Sequence, residues 1–525
     1  MLESIIKQRL QDIISDTFGT YYTFSFKSNN TSLSPAGFSI GFNQIKLTSD
    51  TTNKYMMSKY APVFFEADKL AVNQMSILQL LFGSEVDFNE FILDEPNLVF
   101  IVSEKDSLIE QKKRAFIEPN QEPAIKKVQA RNFQIRGGSA AFVFAKSSQD
   151  TLYAGKDLNV LFEQLEITIN KNGVQANNVL IEDIQIEVED VLYNPRISSY
   201  KYKMDQMSLN YVNQKLLCQK VDLIPKRTLY ALTLEEKYQK TIFDISIGEF
   251  HLNELDFDSL KNYGAIRASK GLLKNAEFTL LRNANYPLDP SEKTLMNESL
   301  TNSSFPIDLD TLFIENASID YRLVPKGKTA EGQVLLRNMN GHLSGVYSEN
   351  HKKDTLKLTL HSDFMANGEL FFAADFPLHG VPEHTYHGHI SQLPFTDLNA
   401  IVTPMAGVQL NDGTIDDIYF TGNCTDRINS GQMIFDYDNL KLQVNNEKKG
   451  KRNWLISDIG NMIVRHQSKK DKDGRSKAVA FSYERPLYQG HIGFYLNGLL
   501  DGMMKNLLPG AIYKAAIKGM TPKTE

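Results

Sequence analysis

Phe91-Ile-Leu-Asp-Glu-Pro96-Asn-Leu-Val-Phe100 and Phe133-Gln-Ile-Arg-Gly-Gly138-Ser-Ala-Ala-Phe142 are two copies of one pattern. In each, two apolar residues stand two apart, a small residue follows three positions on, and two apolar residues continue at alternate positions. Leu273, Ala276, Phe278 and Leu280 form a third copy, and Leu312, Ile314, Ala317, Ile319 and Tyr321 a fourth. Looser relatives are Ile40-x-Phe42-x-x-Ile45-x-Leu47 and Ile245-x-Ile247-x-x-Phe250-x-Leu252. Period-two alternation is the mark of a strand with one apolar face, and the small residue is expected where the chain turns tightly. Repeated units of this kind stack into a long sheet with one continuous apolar face. That face needs a cover, either more protein or an apolar cargo.

The rest of the chain reads as strands of about five to eight residues between turn signals. Clear cases are Leu165–Ile169, Val179–Val188, Leu356–His361 and Ile434–Val444. Two polar stretches, 103–124 with Pro119 and Pro123, and 284–306 rich in Asn, Ser and Pro, read as loops. Divided at these signals, 1–20 is an amphipathic helix, 21–102 a strand-rich part and 103–124 a linker. Next come central strands over 125–283, a polar loop over 284–306, further strands over 307–445, and a hairpin with helices over 446–525. Ile5, Ile6, Leu10, Ile13, Ile14 and Phe18 fall on one face of the first helix, which fits a sheet cap or a membrane-surface helix. A short helical segment fits Ile77–Leu81. Leu496, Leu499, Leu500, Met503, Leu507 and Leu508 make a helical stripe near the C-terminus, broken at Pro509-Gly510. It fits a plug for the end of the sheet or a membrane-touching end.

The bulk numbers bound the function. The chain has 525 residues, 42% apolar and 23% charged, with a formal net charge of −6. It is globular and lacks the basic footprint of a nucleic-acid binder. The basic runs Lys448-Lys449-Gly450-Lys451-Arg452 and Lys469-Lys470-Asp471-Lys472 fit solvated hairpin turns or a contact with anionic headgroups. Two cysteines, Cys218 and Cys424, exclude a disulfide framework. No apolar run reaches the roughly 18–20 residues of a membrane-spanning helix, and no signal-peptide pattern opens the sequence.

Motifs for catalysis are absent, so no enzyme activity and no cofactor or metal are expected. Gly327-Lys328-Thr329 lacks the earlier glycine of a phosphate loop, with Arg322 in its place, and reads as a hairpin turn. Asp471-x-Asp473-Gly474 lacks the ligand set of a calcium loop. His379, His384, His387 and His389 cluster, and the last two would share a strand face, but no carboxylate or thiol completes a metal set. Asp416-Asp417 and Glu235-Glu236 read as solvated charges at turns.

Two regions carry a resemblance. Val86 to Ile101, with Glu95-Pro96 at its turn, resembles the opening of the AsmA-like proteins of the bacterial envelope. Phe376-Pro-Leu-His-Gly, then Leu393-Pro-Phe-Thr-Asp-Leu398-Asn399-Ala400, is similar to that family's C-terminal segment. The likeness continues through Pro404-Met-Ala-Gly407-Val408-x-Leu410-x-x-Gly413-Thr-Ile415, Tyr419-Phe420, and Ser430-Gly431 to Leu442. The resemblance implies a mainly β fold, an elongated, curled antiparallel sheet forming an apolar groove, with short amphipathic helices at both ends. It implies phospholipid acyl chains carried along that groove between the inner and outer membranes of Gram-negative bacteria. The setting is the periplasm, with an inner-membrane anchor, and the role is outer-membrane homeostasis. The anchor is missing before residue 3, and a trimmed chain is the expectation. About 25 to 30 strands at roughly 4.8 Å would give a groove on the order of 120–145 Å.

The candidate groove residues are Phe91, Leu93, Leu98, Phe100, Phe133, Ile135, Phe142, Phe278, Leu280, Leu312, Ile314 and Ile319. The expected partners are phospholipid acyl chains, a membrane surface at one or both ends, and no nucleic acid. A different class fits the same strands: a structural or outer-membrane assembly factor that binds partner strands by edge addition, its apolar face filled by its own side chains.

Overall fold

The computed structural model describes residues 22–35, 37–49, 52, 62–76, 78–79, 83–102, 125–144, 147–169, 179–303, 305–348, 355–378, 383–444, 464–510 and 513. The N-terminal helix read over 1–20, the linker 103–124, His379 and the basic run 448–452 lie outside these. Of Ile77–Leu81 only Leu78 and Gln79 are described, and both are helical. The chain is mainly β, with 64% strand and 12% helix. It divides into two compact units, Met1–Asp222 and Leu223–Glu525.

In the first unit, β1 (Tyr22–Ser25) and β2 (Ser28–Ser34) pair with β3 (Gly37–Ser49), which pairs with β4 (Val63–Met75). β4 pairs antiparallel with β5 (Glu85–Asp94) and β6 (Asn97–Val102). β5 and β6 then run parallel to one long strand, β7 (Lys127–Phe144). β8 (Ser147–Thr168) follows β7 and takes β9 (Val179–Leu180) and β10 (Asp183–Tyr193), and β11 (Tyr200–Asn210) pairs with β10. β12 (Lys215–Pro225) contains the division between the units.

The second unit is a ladder in chain order: β13 (Thr241–Asn253), β14 (Ile266–Asn283), β15 (Ile307–Val324), β16 (Gly332–Tyr347), β17 (Thr355–Phe364), β18 (Gly368–Pro377), β19 (His384–Pro394), β20 (Val408–Cys424), β21 (Ile428–Val444) and β22 (Val479–Glu484). Among the described residues five α-helices join it: α1 (Leu229–Thr233), α2 (Phe257–Tyr263), α3 (Met296–Thr301), α4 (Asn399–Ala406) and α5 (His491–Leu507). No helix among the described residues is long and apolar enough to cross a membrane.

The expectation of an antiparallel sheet is corrected. β5–β7, β6–β7 and β14–β15 are parallel, so the sheet structure is mixed. These are the pairs that join copies of the repeat. Phe91 lies beside Phe133, Leu93 beside Ile135 and Phe100 beside Phe142; Leu273 lies beside Ile314 and Phe278 beside Ile319. Like residues meet because both copies run the same way in the same register. Parallel neighbours need a crossover of about a dozen residues or more. The polar stretch 284–306 before β15 is such a crossover. It is not loop alone: α3 lies within it and, just ahead, Leu295 is 1% exposed in the core.

The small residue of the repeat does not mark a turn, and that expectation is corrected too. It sits just after a bulge. The residue before it takes a left-handed conformation: Glu95 has φ 50°, Gly137 62°, Asn275 52° and Asn316 52°. Asn tolerates this region better than most side chains, and Gly accepts it freely. At Gly137 a Cβ would also lie 2.5 Å from the Glu95 carboxylate. The bulges are stitched sideways. The Gly137 N–H donates to Asn159 Oδ1 at 3.0 Å, and the Asn316 side-chain amide donates to Asn275 Oδ1 at 2.7 Å. A bulge shifts the alternation by one residue, so apolar residues three apart still face the same side. Strands therefore continue through it. β7, β14 and β15 have 18 residues and β8 has 22, where five to eight were expected; 22 strands are described.

Candidate functional site

Four cross-strand rows build one face of the first unit. Val72, Phe91, Phe133, Phe162 and Ile184 form the first, and Leu70, Leu93, Ile135, Val160, Ile186 and Leu209 the second. Phe65, Leu98, Ala140 and Gly155 form the third; Val63, Phe100, Phe142, Tyr153, Tyr193 and Tyr202 form the fourth. No row contains a charged residue. Phe91 stacks on Phe133 with ring centroids 4.6 Å apart and planes at 2°, and Phe100 on Phe142 at 4.6 Å and 14°. Such offset contacts add about 0.5–1.5 kcal/mol beyond area burial. The reverse of the same strands carries polar pairs: Asn73 donates to Glu90 at 2.7 Å, Arg136 lies 3.8 Å from Asp94, and Lys127 lies 3.0 Å from Glu166.

Seven of the candidate residues (Phe91, Leu93, Leu98, Phe100, Phe133, Ile135 and Phe142) are thus brought together on one face, each only half-buried. Val86, Phe88, Ala130 and Leu165 continue this face beyond the first row as a closed core with Phe38, Ile40 and Phe42. The rows also contain residues outside the repeat, notably Val160, Phe162, Ile184 and Ile186. Their signal in the sequence was plain alternation on the neighbouring strands. The tyrosines of the fourth row left no such signal.

The remaining five candidates lie in the second unit. Phe278, Ile314 and Ile319 pack with Ala276, Ala317 and Met339, and both alanines are 0% exposed. Leu312 lies between Gly271 and Leu343, and Leu280 between Phe243 and Tyr321. Phe278, Leu280, Leu312 and Ile319 are half-buried, whereas Ile314 is 8% exposed.

From β18 onward this face is covered. Tyr386, Phe420, Met433, Phe435 and Phe481 are buried, with Leu295, Met296 and Leu300 around α3, Val402 and Ala406 of α4, and Phe494, Leu499, Met503 and Leu507 of α5 packed against them. α5 approaches the strands closely at Gly498, where a Cβ would lie 2.3 Å from the Asn429 amide nitrogen. Polar links hold it: Tyr495 Oη and His384 Nε2 are 2.7 Å apart, and Asn429 donates to the Phe494 carbonyl at 3.1 Å. Asp501 accepts from Lys505 at 2.7 Å and from the Ser482 N–H at 3.0 Å. The C-terminal stripe is divided by this packing. Leu499, Met503 and Leu507 face the core, while Leu496 and Leu500, with Ile492, stay about half exposed, at 47%, 50% and 51%.

The chemistry-bearing groups are otherwise accounted for by packing. His387 and His389 do share one strand face, but His384 is 2% exposed against α5 on the other. His389 bonds Asp417 at 2.7 Å and stacks on Tyr419 at 4.1 Å. Asp416 and Asp417 therefore lie inside β20, not at a turn. Among the described residues no three His, Cys, Asp or Glu side chains are placed to hold a metal ion. Burial pushes the Cys218 thiol up to about 11 and the Cys424 thiol up to about 12, so neither is a ready nucleophile. Gly327-Lys328 forms the turn between β15 and β16, and Asp471 accepts the N–H groups of Asp473 and Arg475 in a tight hairpin. No protein-family model, no curated protein and no solved structure matches the chain.

Proposed function

We propose that the chain binds phospholipid by its acyl chains along the apolar face of its strands and transfers it between membranes. The observation that carries the reading is the uncharged four-row face of the first unit, up to six strands wide and half-buried along the repeat. Six strands at about 4.8 Å cover roughly 24 Å. Apolar patches of this kind are interaction sites, and burying hydrocarbon on one gains about 25 cal/mol per Å². The contacts are non-directional, so acyl chains slide along the face rather than lock into one position. That is the property transfer requires.

The resemblance to AsmA-like proteins supplies the setting: the periplasm of a Gram-negative envelope, attachment to the inner membrane and a role in outer-membrane homeostasis. The exposed side of α5, with Ile492, Leu496 and Leu500 in line and Lys505 in its last turn, supports contact with a membrane surface. The test is transfer of a fluorescent phospholipid between donor and acceptor vesicles. The proposal expects a rate that rises in proportion to protein concentration. A rate equal to spontaneous exchange contradicts it.

A further inference from the structure

We propose that the fourth row is a headgroup site: Tyr153, Tyr193 and Tyr202, together with Arg196, receive the phosphate of the lipid whose acyl chains lie over the other rows. This rests on the lipid-binding reading above. The first three rows are pure hydrocarbon, and hydroxyl groups enter the face only at the fourth. The three tyrosines stand side by side, with ring centroids 4.4 Å apart for Tyr153 and Tyr193 and 5.6 Å for Tyr193 and Tyr202. Phe144, two residues beyond Phe142 on β7, and Leu152 are buried in one cluster with Phe142, Tyr153 and Tyr193. The Arg196 guanidinium lies over that same Phe144 ring, 4.1 Å from its centroid. A cation thus lies over the ring next in line to the tyrosine row, at the edge of the four-row face.

The chemistry fits a phosphate diester. Tyrosine favours places where one side is apolar and the other wet. Arginine presents five N–H donors in a planar fork matched to phosphate oxygens, enough for more than one partner. Burial, and then the neighbouring Tyr193, raise the pKa of Tyr153, which keeps the proton that its hydroxyl donates. The length fits as well. Along β8, Phe162 of the first row and Tyr153 of the fourth are separated by on the order of 30 Å of extended chain. One acyl chain spans about half of a bilayer's ~30 Å hydrocarbon core. A lipid with its phosphate at the fourth row therefore lays its whole tail on uncharged surface.

The full chain is incubated with vesicles holding phosphatidylglycerol and diacylglycerol of identical acyl chains, reisolated, and its bound lipid weighed by mass spectrometry. The wild type is expected to hold phosphatidylglycerol over diacylglycerol by about tenfold or more, as charge-assisted hydrogen bonds to one phosphate allow. Arg196→Ala and Tyr193→Phe bring that ratio toward one, and Arg196→Lys restores part of it. Arg196 is exposed, so losing its contact with Phe144 lowers the melting temperature only slightly, and that small shift serves as a folding control. Equal uptake of both lipids by the wild type, or an unchanged ratio in Arg196→Ala, overturns the headgroup site while leaving the apolar face intact. No bound lipid of either kind overturns the lipid-binding reading itself, and this proposal with it. Inorganic phosphate alone is the other source of the same chemistry. If it binds the wild type, is lost in Arg196→Ala, and does not compete with phosphatidylglycerol, the site belongs to a free anion and the proposal fails.

Discussion

The double substitution Phe133→Asp with Ile135→Asp is expected to strip phospholipid from the protein, lowering occupancy by roughly 10- to 150-fold. Both residues sit in the middle of the four-row face, Phe133 between Phe91 and Phe162, Ile135 between Leu93 and Val160. Fully burying a large apolar side chain is worth about 1.5–3 kcal/mol, and these two are half-buried before any lipid arrives. Covering the remaining surface of both is then worth about 1.5–3 kcal/mol, which sets the range given. Two carboxylates under an acyl chain add a desolvation penalty in the same direction. The measurement is lipid extracted per mole of protein. Gln134→Glu is the control, because Gln134 lies between these residues on the reverse face, where its Oε1 accepts from Arg136 at 3.0 Å. It leaves occupancy unchanged. Equal loss in the control would mean that charge anywhere on β7 disturbs binding, and the four-row face would lose its special standing.

Ala317→Leu is expected to destabilise the second unit by about 3 kcal/mol, more than any single surface change. Ala317 is 0% exposed, sits directly after the left-handed Asn316, and faces Met339 within the cluster that holds Ala276 and Ile314. Three added carbons have no space there, and the bulge leaves the backbone no easy way to shift. Chemical denaturation followed by the second unit's signal reads the loss as a lower midpoint with unchanged slope. Ile319→Val, which removes one methyl from the half-buried side of the same strand, lowers stability by about 0.5–1.5 kcal/mol at most. An Ala317→Leu midpoint equal to the wild type would mean that the small residue of the repeat is incidental, and that the bulges do not hold the strands in their present register.

Much of this was legible from the residues, and the limits have physical causes. Alternation identified the strands and put the right side chains together, because Phe91, Leu93, Phe133 and Ile135 obey the same period whatever their pairing. Direction is a different matter. Period two is identical for parallel and antiparallel neighbours, so the pattern alone left β5–β7 and β14–β15 open. The clue to parallel pairing was the length of 103–124 and 284–306, too long for hairpins. A three-residue gap in the alternation serves equally for a turn or a bulge. Asn275 and Asn316 ahead of alanine were the trace of the bulge, since both residues tolerate the left-handed region. α3 was hidden because Asn, Ser and Thr dominate its stretch, and only the packing of Leu295 and Leu300 into the core makes it a helix worth forming. The fourth-row tyrosines come from three separate strands, and nothing local announces that they stand in line.

We propose above all that the half-buried face of the first unit carries acyl chains. Native mass spectrometry of the full chain, purified without detergent and followed by lipid extraction, tests it most directly. Phospholipid is expected bound at one or more copies per chain and removed by Phe133→Asp with Ile135→Asp. A lipid-free mass that stays unchanged after incubation with phospholipid vesicles would contradict it.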